Sequence, residues 1–454
     1  MKKKSLGLVL GLFMLLCSGC GDDVDASVME EYSKLVGIPV EELEKKGITD
    51  DYIMSLNADA AERNGEAKSD PNEIEKPVVV EDEPLVQESA EESEEESVEE
   101  TMEEPPVPQE ISITVSVTGD VTLGTHQKQG YKGSIYQVYD DQGPEYFFEN
   151  VYDYFSNDDM TLVNLEGMFT ESEKKNGTRT FYIKGRLDYV DALKAGDIEA
   201  VSMANNHRLD FGEVATEDTV KVLEEADVKY AYEDVVGIYE TEKGIRIGYV
   251  ASNVLSDGQK GAEKIFEEGI NKLKEEKVDL IFCCAHWGKE SKYNAEKYQS
   301  NLGQKCIDWG ADLVIGHHPH VLQGVEEYKG KFILYSLGNF CFGANQNPKD
   351  KDSMIFQQTF HFVDGEKQDQ TEAKMIPCSI SSVSNKNDFK PTPAVDKEKQ
   401  RIIDKMNKMC KKTGVQFDED GNAVTDGSVT TTDDATTAGE ATTDPQTVSS
   451  NNAQ

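Results

Sequence analysis

Residues 111–118 read ISITVSVT, apolar and polar positions in strict alternation, the period of a strand with one buried face. Apolar or β-branched runs of strand length recur at 161–165, 198–204, 245–251, 278–285, 312–315, 332–336 and 355–362. Segments long enough for helices lie between them, at 146–156, 187–195, 217–226, 262–277 and 295–309. Alternating strand and helix predict an α/β fold. The late strands, with no helix-length segment before the last, predict a layered sheet arrangement rather than one doubly wound sheet.

Outside residues 111–412 this patterning fails, and charge explains why. The 454 residues carry 46 Lys+Arg against 87 Asp+Glu, a formal net charge of −41, which argues against a partner bound through phosphate neutralisation. Between Asp22 and Glu110 there are 30 acidic and 6 basic residues, or −24; Lys2 to Lys4 add +3, and Ile111 to Gln454 carries the remaining −20. The run EESEEESVEE, set among six prolines, offers too little apolar area to offset the entropy of ordering. Residues 61–110 are therefore expected to be a disordered, self-repelling acidic linker. Residues 413–454, rich in Thr, Ser and Asp, are expected to be a disordered tail.

The first twenty residues form a separate unit. Lys2 to Lys4 are a basic start, residues 6–16 an apolar stretch too short to span a bilayer, and LCSGC ends at Cys20 after two small residues. This resembles a bacterial lipoprotein signal in which cleavage leaves Cys20 lipidated, although Cys17 stands where Leu is usual. The expectation is a signal at 1–20 and a lipid-anchored, extracytoplasmic protein. Residues 21–60 carry two short helical patterns. Cys283, Cys284, Cys306, Cys341, Cys378 and Cys410 have no framework spacing and read mostly as buried small hydrophobes.

Seven histidines occupy positions 126, 207, 286, 317, 318, 320 and 361, and five of them follow predicted strands. The carboxyl ends of strands are where α/β proteins assemble sites. Asp120 ends the first strand, and Glu166 in VNLEG ends an apolar one, where burial is costly without a cation. Asn205, Asn206, His207 and Asp210 form a polar knot in MANNHRLDFG. His286 follows a further strand, and in GHHPH an extended backbone would project His318 and His320 to one side. Asp120, Glu166, Asn206, His286, His318 and His320 make a mixed O/N ligand set for one or two divalent ions, Mn, Zn or Fe. His207 is left free as a general acid or as a hydrogen-bond donor to a ligand.

In order, TGDVTLG, VNLEG, AVSMANNHRLDFG, AHWGKE, GADLVIGHHPHVLQGVEEYKGK and LYSLGNFCFG resemble the bacterial capsule synthesis protein CapA family, which includes poly-γ-glutamate biosynthesis proteins. The resemblance implies a four-layer α/β/β/α sandwich of the calcineurin-like metallophosphoesterase type with a two-metal centre. It places Asp120, Glu166 as the bridging group, Asn206, His286, His318 and His320 as ligands, with His207 and Asp210 catalytic. Two departures stand out: Thr122 replaces a histidine ligand, and the bridging residue is Glu rather than Asp. Ser291 also stands where the family has an aromatic residue.

The function implied is a membrane-anchored protein of capsule or poly-γ-glutamate synthesis or export, working beside membrane-embedded ligase and transport partners. A surface phosphoesterase or peptidase acting on the cell wall, and a non-catalytic scaffold, are the alternatives. An acidic protein handling an acidic polymer needs local cations. Arg179, Lys184 and Arg186, with Asn205, are the expected substrate contacts.

Overall fold

The computed structural model describes residues 108–425; the expected signal, the 21–60 segment, most of the acidic linker and most of the tail lie outside the described residues. Two sheets carry the fold. The larger runs, edge to edge, through Thr392–Pro393, Glu366–Ser379, Asp352–Val363, Glu110–Thr122, Met160–Leu165, Ala200–Ser202 and Lys229–Ala231, with Asn339–Phe342 added alongside the end of Glu110–Thr122. The second runs through Val325–Tyr328, Lys331–Leu334, Leu313–His317, Leu280–His286, Arg246–Asn253 and Gly237–Glu240.

Strand alternation decides what each face meets. Val115, Val117, Leu162 and Ala200 of the larger sheet pack with Tyr249, Phe282, Ile315 and Leu334 of the second in one buried cluster. The opposite face of the larger sheet, with Val163, Leu165 and Val201, packs on Phe147, Phe155, Leu193 and Leu223 from helical segments. Val250, Cys283 and Val314, on the outer face of the second sheet, meet Phe266, Ile270 and Cys306 of helices Val254–Glu275 and Lys297–Trp309. Three apolar seams separate four layers, the expected α/β/β/α order. All six cysteines outside the signal are buried free thiols, as their apolar settings predicted.

Several elements differ from the sequence expectation. Helix Val254–Glu275 starts well before residue 262 and breaks at Gly258, whose φ of 66° continues no helix. Helix Asp396–Met409 and strand Glu366–Ser379 have no counterpart among the predicted elements. The folded unit also continues past residue 412, because Val415 and Phe417 bury against Ile402, Ile403 and Met406 and pair with Ala423–Thr425.

Topology brings the candidate residues together. Glu110–Thr122, Met160–Leu165 and Ala200–Ser202 are mutually parallel, as are Arg246–Asn253, Leu280–His286 and Leu313–His317. The carboxyl ends of both sets meet at one edge of the sandwich.

Candidate metal centre

The centre is built on backbone contacts too close for any side chain. A Cβ on Gly119 would lie 2.2 Å from the Gly338 carbonyl oxygen, and the Asp120 amide donates to that same oxygen at 2.9 Å. Asp120 is thereby fixed at the floor, fully buried, its Oδ1 accepting from Asn164 Nδ2 at 2.8 Å. Glu166 follows its strand directly, its amide donating to the Val121 carbonyl. Both Glu166 carboxylate oxygens are buried without a hydrogen-bond partner, and Asp120 Oδ2 has only His320 Nδ1 nearby, at 3.1 Å.

The second sheet supplies the imidazoles. His286 and His317 are register partners at the ends of their strands. His317 donates from Nε2 to the Thr118 carbonyl at 2.9 Å and ties the two sheets together. His318 and His320 leave the strand with φ of 96° and 56°. The extended backbone expected there is thus corrected: left-handed conformations, not strand alternation, turn both rings into one centre. The His318 ring lies 4.9 Å from that of His286 and 5.8 Å from that of His320, centroid to centroid.

The ligand atoms gather around Glu166 and His320. Oxygens of Asp120 and Glu166 and a ring nitrogen of His320 lie within 4.8 Å of one another. Glu166 Oε1 is 3.7 Å from His320 Nε2 and 3.9 Å from His286 Nε2, while His286 Nε2 is 2.7 Å from Asn206 Oδ1. Glu166 thus lies between His320 and the His286–Asn206 pair, with the His318 ring next to those of His286 and His320. The Nδ1 atoms of His286 and His318 are buried without partners. Unpartnered buried carboxylate oxygens facing imidazole nitrogens are what a divalent cation satisfies, so these residues fit one. At Thr122 the side chain supplies only a buried, unpartnered hydroxyl.

Electrostatics follows the burial. Burial pushes the Glu166 carboxyl up to about 7 against the pull of His320. It disfavours a charged His320, but Glu166 and Asp120 outweigh it and raise that ring to about 10. Burial and then His320 lower His318 to about 4, and burial holds His286 well below its ordinary value.

Beside the ligands, His207 Nδ1 donates to Asp210 Oδ2 at 2.7 Å, leaving Nε2 as its free ring nitrogen. Asp210 also accepts from the Ile183 amide and pairs with Arg179 Nε at 3.2 Å. Arg179 donates a second time to the Asn206 carbonyl, so it braces this loop and its charge is already taken. The other expected substrate contacts are likewise engaged within the chain. Asn205 is buried, bridging the Leu165 carbonyl and the His207 amide. Lys184 binds Glu173 and the Ser172 carbonyl, and Arg186 pairs with Asp140 and Asp188 and stacks over Tyr189.

An open cavity of about 910 Å³ reaches the centre, with Glu166, His207, His320 and Asn339 on its wall. That wall also carries Lys128, Lys132 and Lys349, and none of the three pairs with a described carboxylate. Sequence reasoning missed these lysines, along with Asn164, Asn339 and Glu290. Only the quoted motifs NLEG, LGNF and WGKE marked the last three.

Two facing sheets with a carboxylate and imidazole cluster at their shared edge define an α/β protein with a metal-type centre in a wide cleft. The chain belongs to the bacterial capsule synthesis protein PGA_cap family, whose model matches residues 114–344 and so contains every residue of the centre. It is 30% identical over 304 residues to the capsule biosynthesis protein CapA of Bacillus anthracis, covering 62% of this chain and 70% of that one. To the PGA biosynthesis protein CapA of Bacillus subtilis it is 27% identical over 258 residues, covering 53% and 65%. A purple acid phosphatase from yellow lupin seeds aligns at 10% identity over 64% of this chain and 56% of its own, with a TM-score of 0.30, too low to add to the assignment.

Proposed function

We propose that this chain is a membrane-anchored, extracytoplasmic component of capsule or poly-γ-glutamate synthesis or export, with a divalent-metal-dependent hydrolytic site in the cleft. The observation that carries the reading is the unpartnered Glu166 carboxylate beside the His286 and His320 rings, at the floor of a cavity whose wall bears three lysines that pair with no described carboxylate. The relatives' names, a capsule biosynthesis protein and a PGA biosynthesis protein, support an acidic polymer as the ligand. Lys2 to Lys4, the apolar stretch and Cys20 support the anchor.

Asp120, Glu166, Asn206, His286, His318 and His320 would hold one or two divalent ions. When bound, divalent ions supply charge that polarises an anionic substrate and lowers the pKa of water. The chain's own residues do the rest. Lys128, Lys132 and Lys349 draw a polyanion to a cleft that the overall charge would otherwise repel. Asp210 orients His207 so that Nε2 can deliver a proton to a leaving group, and Arg179 holds Asp210 in place.

The test is metal analysis of the full chain, then incubation with poly-γ-glutamate and with a generic phosphodiester. Near-stoichiometric divalent metal and consumption of the polymer are expected, and His318→Ala and Glu166→Gln should abolish both. His207→Gln should abolish turnover while leaving metal content unchanged. Protein that takes up no divalent metal would sink the hydrolase reading.

A further inference from the structure

Beyond the six ligands above, the cavity wall carries two more carboxylates, and one of them, Asp350, is taken by Lys405 and Tyr293. Glu290 lies four residues after His286, exposed, and borders the cavity. Its loop is stitched to the histidine loop: the Trp287 amide donates to the His317 carbonyl at 3.0 Å and the Ser291 amide to the Pro319 carbonyl at 2.8 Å. Those two bonds bracket Glu290 and hold it opposite His318 and His320. A carboxylate oxygen of Glu290 and one ring nitrogen from each histidine lie within 4.8 Å of one another, a spacing that a cation with ligand bonds of roughly 2.0–2.2 Å can draw together.

Among the described residues Glu290 has no other partner. Lys289, its neighbour, reaches instead to Glu296, and no described Lys or Arg pairs with Glu290. Across from it, His318 is 7% exposed with Nδ1 unpartnered. Asp120 and Glu166 fill the floor, so an ion between His318 and His320 has imidazoles and buried carboxylates below and only Glu290 among the clustered acids on the solvent side.

We infer that Glu290 is a further metal ligand, closing the centre from the open side of the cleft through His318 and His320. The inference rests on the metal reading of the site. Because Glu290 is exposed, its arm is also free to swing away, unlike the buried ligands beneath it.

Cobalt(II) titration of the full chain, followed by its visible absorption, tests the assignment without reference to turnover. Glu290→Gln should weaken cobalt binding on the order of tenfold or more, since even the outer partners of metal ligands cost that much, and should shift the visible band. A bare charge effect is separated by repeating the titration at an ionic strength of about 0.5 M, where the Debye length is roughly 4 Å. There the loss should persist. Wild-type affinity and spectrum in the variant, or a loss that vanishes with salt, would overturn the role of Glu290 while leaving the centre intact. Failure of the wild type to bind cobalt would overturn both, and an unchanged circular dichroism spectrum excludes misfolding of the variant.

Discussion

His320 is held at both ends by one residue. Its Nδ1 donates to Asn339 Oδ1 at 2.9 Å, and Asn339 Nδ2 donates back to the His320 carbonyl at 3.2 Å, which leaves Nε2 facing Glu166. Asn339→Ala is therefore expected to lower divalent-metal affinity by roughly tenfold to a hundredfold, measured by manganese titration, with the ligands themselves unchanged. The left-handed His318 stores about 1–3 kcal/mol of backbone strain that the surrounding loop must hold. At this scale the sequence was legible where a polar residue ends an apolar strand, because burial there demands a partner. That rule found Asp120, Glu166, His286 and the histidine pair. It missed Asn339, nineteen residues from His320, since nothing local shows which ring an asparagine will meet. It misplaced Arg179, Lys184 and Arg186 for the same reason: positive charge in a sequence does not reveal the carboxylate that consumes it.

The elements that place the ligands depend on close backbone approach at one end and on buried acids at the other. Gly119→Ala would drive a methyl into the Gly338 carbonyl, which cannot move without parting Glu110–Thr122 from Asn339–Phe342. The expected outcome is a drop of several degrees in melting temperature together with weakened metal binding, seen by thermal unfolding with and without manganese. At the amino ends of Met160–Leu165 and Ala200–Ser202, burial pushes the Asp158 carboxyl up to about 8 and Glu199 up to about 7. Asp158 accepts from Thr161 Oγ1, and Glu199 from the Thr161 amide. Raised carboxyl values favour the folded state only while the groups stay protonated, so stability should fall as pH rises from about 4 to about 8. Asp158→Asn should flatten that fall, read as denaturation midpoints at both pH values. Strand alternation and helical period made most elements legible. Glu366–Ser379 escaped because its first half, EKQDQTEAK, is largely exposed and reads as a loop, and Asp396–Met409 because few apolar residues mark its buried stripe.

Over the whole molecule the −41 includes a flanking segment of −24 and a domain whose cleft nevertheless presents three lysines that pair with no described carboxylate. Exchanging Lys128, Lys132 and Lys349 together for Gln should weaken poly-γ-glutamate binding roughly tenfold at low salt, at about 0.5 kcal/mol for each exposed contact, and should flatten its salt dependence. Unchanged binding would place the polymer elsewhere. The four-layer order was legible through the family resemblance and the succession of elements; the sheet partners of the first strand were not. Glu110–Thr122 pairs antiparallel with Asp352–Val363, register running from Glu110 with Val363 to Thr118 with Ile355. The matched segment 114–344 stops before that partner. A nascent chain therefore carries its central strand with one long edge open until the last third of the domain has emerged, and closing so distant a pairing is slow. A fragment ending at residue 344 should therefore collect as aggregate through that open edge.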